Sequence, residues 1–137
     1  MREIEFRGRR LDNGEWVYGY LVNLHSPERL FIGGWRRIGG EATVRDELFF
    51  SYKEVDSATV GQFINLPDKH GQKLYRGDIV RVYTYAGTDL ELAEIVWRDK
   101  RLCFAARSIG NGIMWMLDAD SVVEKVGNKW DNPELLE

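Results

Sequence analysis

Apolar positions recur along this chain with a period of two, which puts alternate side chains on opposite faces of a strand. No stretch sustains the 3.6-residue period of an amphipathic helix. Ile4 to Arg10 reads as a strand. Asp12-Asn13-Gly14 follows, and Asn-Gly suits a two-residue type I′ hairpin turn because both central residues need φ > 0. Glu15 to Val22 is the return strand, with Trp16, Tyr18 and Tyr20 on one face and Val17, Gly19 and Leu21 on the other. Ser26-Pro27 signals a loop. Leu30 to Trp35 is a short strand broken at Gly33-Gly34, and Gly39-Gly40 is a second flexible point. Leu48 to Val55 is strand-like, with Leu48, Phe50 and Tyr52 together. Ala58 to Leu66 is extended, with β-favouring Thr59, Val60 and Phe63.

Pro67-Asp68-Lys69-His70-Gly71 is the strongest loop in mid-chain and divides it into residues 1–66 and 67–137. Beyond it, Arg76-Gly77-Asp78 turns into Ile79 to Tyr85, and Ala86 to Asp89 connects to Leu90 to Trp97. Arg98-Asp99-Lys100 leads to Leu102 to Arg107, and Gly110-Asn111-Gly112 to Ile113 to Leu117. A 3₁₀ turn over Asp118 to Ser121 then precedes Val122 to Gly127. Three hairpin-linked strands, a short 3₁₀ turn and a final strand describe an SH3-like barrel, an arrangement that limits exposed edges. Alternation nominates Ile79, Val82, Ile95, Trp97, Phe104, Trp115 and Val123 for its core. In the tail, Asn132 suits an N-cap, Pro133 the first helical position and Glu134 the dipole. One helical turn is expected there, with Leu135 and Leu136 docked on the barrel. The expected class is all-β: a hairpin-rich N-terminal part, an SH3-like barrel and a short helical turn.

Composition narrows the field. With 137 residues, 44% hydrophobic and 12% aromatic, the chain has apolar area for a real core, and disorder as the main state is excluded. No apolar run approaches a membrane span, and MREIEFRGRR lacks the apolar region of a signal peptide. The one cysteine leaves no internal disulfide framework and suits a reducing cytoplasm. Nineteen basic residues against 22 acidic ones do not advertise nucleic-acid binding. The distribution is uneven, however. Arg7, Arg9 and Arg10 cluster near the start and Arg36-Arg37 follow Trp35, while the end is acidic. That pattern allows a local anion-binding face, or head-to-tail contact in a homo-oligomer.

The catalytic inventory is thin. Cys103 lies inside a strand, and neither His25 nor His70 is tied to it by a local motif, so a buried, inert thiol is expected. One cysteine and two isolated histidines do not make a structural zinc site, and no calcium or cofactor motif is present. Gly33-Gly34-Trp35-Arg36-Arg37-Ile38-Gly39-Gly40 reads as a loop. If it binds anything, Trp35, Arg36 and Arg37 are the ligand- or anion-binding candidates, with glycine N–H groups, two permanent charges and a stacking surface. It lacks the Gly-Lys-Ser/Thr of a P-loop. Phe6, Arg7, Trp16, Tyr18 and Tyr20 offer an alternative platform for bases, although same-face aromatics in β proteins more often fill a core. Asp118 and Asp120 read as caps of the 3₁₀ turn rather than as an acid–base pair.

The segments together resemble the YopX family of phage and prophage proteins. The resemblance lies in Arg2-Glu3-Ile4-Glu5-Phe6-Arg7-Gly8, Gly14-Glu15-Trp16-Val17-Tyr18-Gly19-Tyr20, Thr59-Val60-Gly61-Gln62-Phe63 and Asp68-Lys69-His70-Gly71. It continues in Tyr75-Arg76-Gly77-Asp78-Ile79-Val80 and Trp130-Asp131-Asn132-Pro133-Glu134-Leu135-Leu136. His70 stands where the family usually has Asn, and Pro67 is also atypical. The resemblance implies a mostly β protein with an SH3-like C-terminal part, encoded by a phage or prophage, and it supplies no catalytic residues. The expected function is a non-enzymatic accessory or binding module in the bacterial host cytoplasm, with a protein partner of phage or host. The alternative is nucleic-acid binding through the N-terminal arginines and loop aromatics. No cofactor, metal or membrane is expected.

Overall fold

The computed structural model describes residues 3–25, 28–37, 48–83 and 89–137, with side chains for 3–24, 29–34, 52–83 and 91–137. Its strands are antiparallel and its helical elements are 3₁₀ turns, so the mainly β expectation holds. The chain forms two compact units, Ile4–Gly61 and Gln62–Glu137, the latter also holding Glu3. The division falls ahead of the loop at residues 67–71.

In the first unit, β1 (Phe6–Arg9), β2 (Trp16–His25), β3 (Glu28–Arg37) and β4 (Leu48–Val55) lie in the order β4-β3-β2-β1. The β1–β2 turn departs from the type I′ expectation. Arg10 N–H bonds Glu15 O at 2.9 Å and Gly14 N–H bonds Arg10 O at 2.9 Å, a wider loop. Within it only Gly14 has positive φ, at 72°. Asn13 instead spends its side chain on the Glu15 N–H, at 2.9 Å. Leu30, Ile32 and Val55 are buried, with Phe6, Val17, Leu21 and Val60 packed against them. The stretch expected to run extended from Ala58 opens with a 3₁₀ turn, Ser57–Thr59, because Asp56 accepts the Ala58 N–H. Buried Thr59 ties this turn to β1, its hydroxyl accepting the Arg9 N–H at 2.8 Å and donating to Asp56 O at 2.7 Å.

The second unit opens with the hairpin of β5 (Gly61–Pro67) and β6 (Lys73–Tyr75). Its main sheet holds β7 (Asp78–Tyr83), β8 (Asp89–Arg98), β9 (Cys103–Ser108), β10 (Met114–Met116) and β11 (Val123–Asn128), in the order β10-β9-β8-β7-β11. The last strand thus returns to pair with the first; closure into an SH3-like barrel is not among the described pairings. Asp118–Ser121 is a hydrogen-bonded turn rather than a 3₁₀ helix. Of the residues nominated for the core, Ile79, Val82, Ile95 and Val123 are buried, and Trp115 packs against the core from its edge. Trp97 and Phe104 are not in it. They pair with each other edge to face at 5.0 Å beside the β8–β9 turn, and Trp97 is 39% exposed. Trp97 keeps the face of Ile95 but lies past the end of the core.

A buried carboxylate and a ring laid over a glycine fix this unit. Asp68 is buried and accepts the N–H groups of His70 (2.9 Å), Gln72 (2.8 Å) and Lys125 (3.1 Å), pinning the 67–71 loop to β11. Burial pushes its carboxyl up, but these three donors outweigh burial and hold it below the ordinary carboxylate range. Gly77, at φ 94°, lies under the Trp130 ring, where a Cβ would come within 2.4 Å. Asn128 Oδ1 accepts from Trp130 and Asp131 N–H, closing the turn that presents this ring. Asn132 takes the expected N-cap position but makes no side-chain capping bond. Its Oδ1 accepts from Asn128 N–H instead, at 3.2 Å, and the 3₁₀ turn Pro133–Leu136 buries neither leucine.

Candidate binding surface

The outer face of the first sheet carries what a solvated sheet face usually lacks. Tyr18 is 49% exposed, Tyr20 58%, Val22 38% and Leu24 47%. The opposite face of β2 presents Val17 and Leu21 to the core, so this strand is apolar on both sides. Cross-strand partners widen the stripe. Val22 faces Phe31, Leu24 faces Arg29 and Tyr20 faces Gly33; on β4, Glu54 lies opposite Phe31. The Arg29 guanidinium lies 5.2 Å from the Phe31 ring centre and grips Glu54 with two bonds of 3.0 and 2.8 Å. Those bonds hold the Glu54 carboxyl below its ordinary range and the Arg29 guanidinium above its own. The sequence marked the stripe Trp16-Tyr18-Tyr20 but favoured a core role for it. The structure reverses that reading for the two tyrosines.

The arginines counted toward anion binding are spent inside the fold. Arg7 is 1% exposed, its guanidinium 4.8 Å from the Trp16 ring, and Arg9 approaches the same ring at 5.3 Å. Arg10 forks onto Asp12 at 2.9 and 2.6 Å. The Gly33–Arg37 segment is strand, not loop. Gly33 is paired on both sides, with Tyr20 and Tyr52, and Gly34 to Arg37 pair with Ser51 to Leu48. Ladder bonding therefore occupies backbone groups that a loop would leave for a ligand, and neighbouring strands override the weak strand preference of glycine. The side chains of Trp35, Arg36 and Arg37, and the Gly39-Gly40 pair, lie outside the described residues.

The second unit carries a groove that sequence spacing did not reveal, with a cavity of about 660 Å³. Trp115, Met116, Leu117 and Val122 line it, Tyr83 and Lys69 form one wall, and Asp118 and Asp120 stand at its edge. The Tyr83 hydroxyl donates to Glu124, and Lys69 reaches that hydroxyl at 3.2 Å and Glu124 at 3.4 Å. Tyr83, then Lys69, hold the Glu124 carboxyl below its usual range, and Lys69 is raised in turn. Cys103 is half-buried rather than buried, with its thiol 3.8 Å from the Met116 sulfur.

The family described as YopX protein matches residues 5–137. This chain belongs to the YopX family. Its fold is also similar to that in the crystal structure of protein EF1440 from Enterococcus faecalis, at 22% identity and a TM-score of 0.57 over 100% of both chains. No curated protein matches. The YopX-like stretches at Asp68–Gly71, Tyr75–Val80 and Trp130–Leu136 hold Asp68, Gly77 and the Trp130 ring laid over it, which build the fold; of their residues Lys69 also lines the groove. Among the described residues, no helix is long and apolar enough to cross a membrane.

Proposed function

We propose that this YopX-family protein is a non-enzymatic, phage- or prophage-encoded accessory module that works in the host cytoplasm by binding a protein partner. Its contact surface is the outer face of β2 and β3. The observation that carries this reading is the exposed run Tyr18, Tyr20, Val22 and Leu24 on a strand whose other face already fills a core. Contiguous apolar patches on a folded surface mark interaction sites, and tyrosine combines large apolar area with a polar tip at low entropic cost. The nucleic-acid alternative has less support, because Arg7 is buried and Arg10 and Arg29 are each paired with a carboxylate.

An affinity capture from phage-producing cells, with and without nuclease, tests this. The wild type should retain a partner that resists nuclease, and the Tyr20→Ser/Leu24→Ser variant should lose it while keeping its fold. Capture that vanishes with nuclease, or that survives the double substitution, would overturn the assignment.

A further inference from the structure

The groove of the second unit is a separate site, and its chemistry selects a different kind of ligand from the sheet face. Its lining is apolar. Trp115 and Leu117 rest on the buried cluster that includes Val80, Val82 and Ile95, so that side is held by the core and does not collapse. Tyr83 is fixed by its hydroxyl bond to Glu124 and by the Lys69 ammonium, 4.4 Å from its ring centre. On this wall Glu124 is faced by Lys69 at 3.4 Å, His70 at 3.7 Å and Arg81 at 4.0 Å, so its cations are engaged with a carboxylate of their own.

The edge formed by Asp118 and Asp120 differs. Among the described residues neither carboxylate faces a cation. Asp118 Oδ1 accepts the Asp120 N–H at 2.9 Å, which holds the turn and sets the two acidic side chains at the groove edge. Two uncompensated carboxylates beside an apolar, aromatic floor complement a chain that carries positive charge next to apolar side chains.

We propose that this groove binds an extended segment of a partner protein that presents arginine or lysine beside leucine-like side chains. Apolar side chains occupy the floor at Trp115 and Val122, and the cation meets Asp118 and Asp120. A polyanion such as a nucleic-acid strand is disfavoured by the same edge.

Amide and indole NMR shifts of the full chain, titrated with four probes, test the assignment. Three are octapeptides, alternating leucine with arginine, leucine with glutamate, and serine with arginine; the fourth is a thymidine decamer. The leucine–arginine peptide should move the Trp115 indole and the Ser121 and Val122 amides, and the others should leave them in place. The Asp118→Asn/Asp120→Asn variant keeps the Oδ1 acceptor that holds the turn, and it should bind about tenfold more weakly. Met116→Glu, at an exposed groove position, should weaken the leucine-bearing probe with the remaining spectrum unchanged. The proposal is overturned if the leucine–arginine peptide leaves the groove signals unmoved at about 1 mM. It is equally overturned if the glutamate peptide, the serine peptide or the decamer binds there as well, or if the Asn variant binds undiminished. None of these outcomes bears on the tyrosine face of the first unit.

Discussion

In the first unit Tyr18 and Tyr20 stand in water on the outer face of β2, whereas in the second Tyr75 is buried and the Trp130 ring is laid over Gly77. The first unit keeps its core to a few aliphatic side chains, Leu30, Ile32 and Val55, and can therefore display its aromatics. The second spends buried polar groups and a ring-on-backbone contact to hold its sheet together. Part of its accessible apolar surface lines a groove rather than a face. The same residue type is displayed in one unit and used for construction in the other, and what decides is whether a neighbouring element covers it.

The largest expected effect lies on the construction side. Gly77→Ala puts a Cβ 2.4 Å from the Trp130 ring at φ 94°, so backbone strain and overlap add. We expect a loss of about 3 kcal/mol or more, read as a lowered urea midpoint for amide signals of the second unit. An unchanged midpoint would show that Trp130 is not a structural lid.

Asp68→Ala comes next. It strands three backbone donors, and a loss of roughly 2–3 kcal/mol follows if each is only partly rehydrated. The pH dependence has a definite sign. Because the folded-state carboxyl is depressed, its contribution is fully present above the ordinary aspartate range. It is lost as pH falls through the folded value. The stability gap between wild type and Asp68→Asn should therefore be widest near neutrality and shrink below about pH 4. A gap that stays constant to low pH would remove the charge from the explanation.

On the display side, Tyr20→Ser/Leu24→Ser should shift the midpoint of the first unit by less than about 0.5 kcal/mol, since both side chains are largely in water. A cost comparable to Gly77→Ala would make the stripe structural and erase the contrast between the units. The smallest change is expected at Cys103→Ser, about 0.3 kcal/mol or less, because the thiol is half-buried and its neighbour is the flexible Met116. Native thiol labelling should be measurable and should accelerate on denaturation; complete protection would place Cys103 deeper than its surroundings indicate.

Strand positions were legible because alternation is a local property. Leu48 to Val55 coincides with β4, and the segments from Ile79, Leu90 and Leu102 foreshadow β7, β8 and β9. Turn residues were legible for the same reason at Gly14, Gly77 and Asn111-Gly112, where a short-range conformational need selects the residue. Even there the hairpin type was missed, since Asn13 turned its side chain to the backbone instead of adopting positive φ. Short β6 carries too few residues to show a period.

The side of each strand that meets the core was decided only by the tertiary structure. Val17-Leu21 and Tyr18-Tyr20-Val22 are both apolar sets on β2, so alternation alone left them equivalent until β1 and β3 paired on either side and the sheet packed through one face. The same holds for charge. Arg7, Arg9 and Arg10 read as a basic cluster along the chain, but Trp16 and Asp12 absorb them once β1 and β2 pair. The groove has only a partial linear counterpart, since Trp115 to Val123 adjoin in the chain but Lys69 and Tyr83 reach them from distant points. Local periodicity specifies where strands run. Long-range pairing and packing alone determine which side chains are buried, which charges are compensated and which remain exposed.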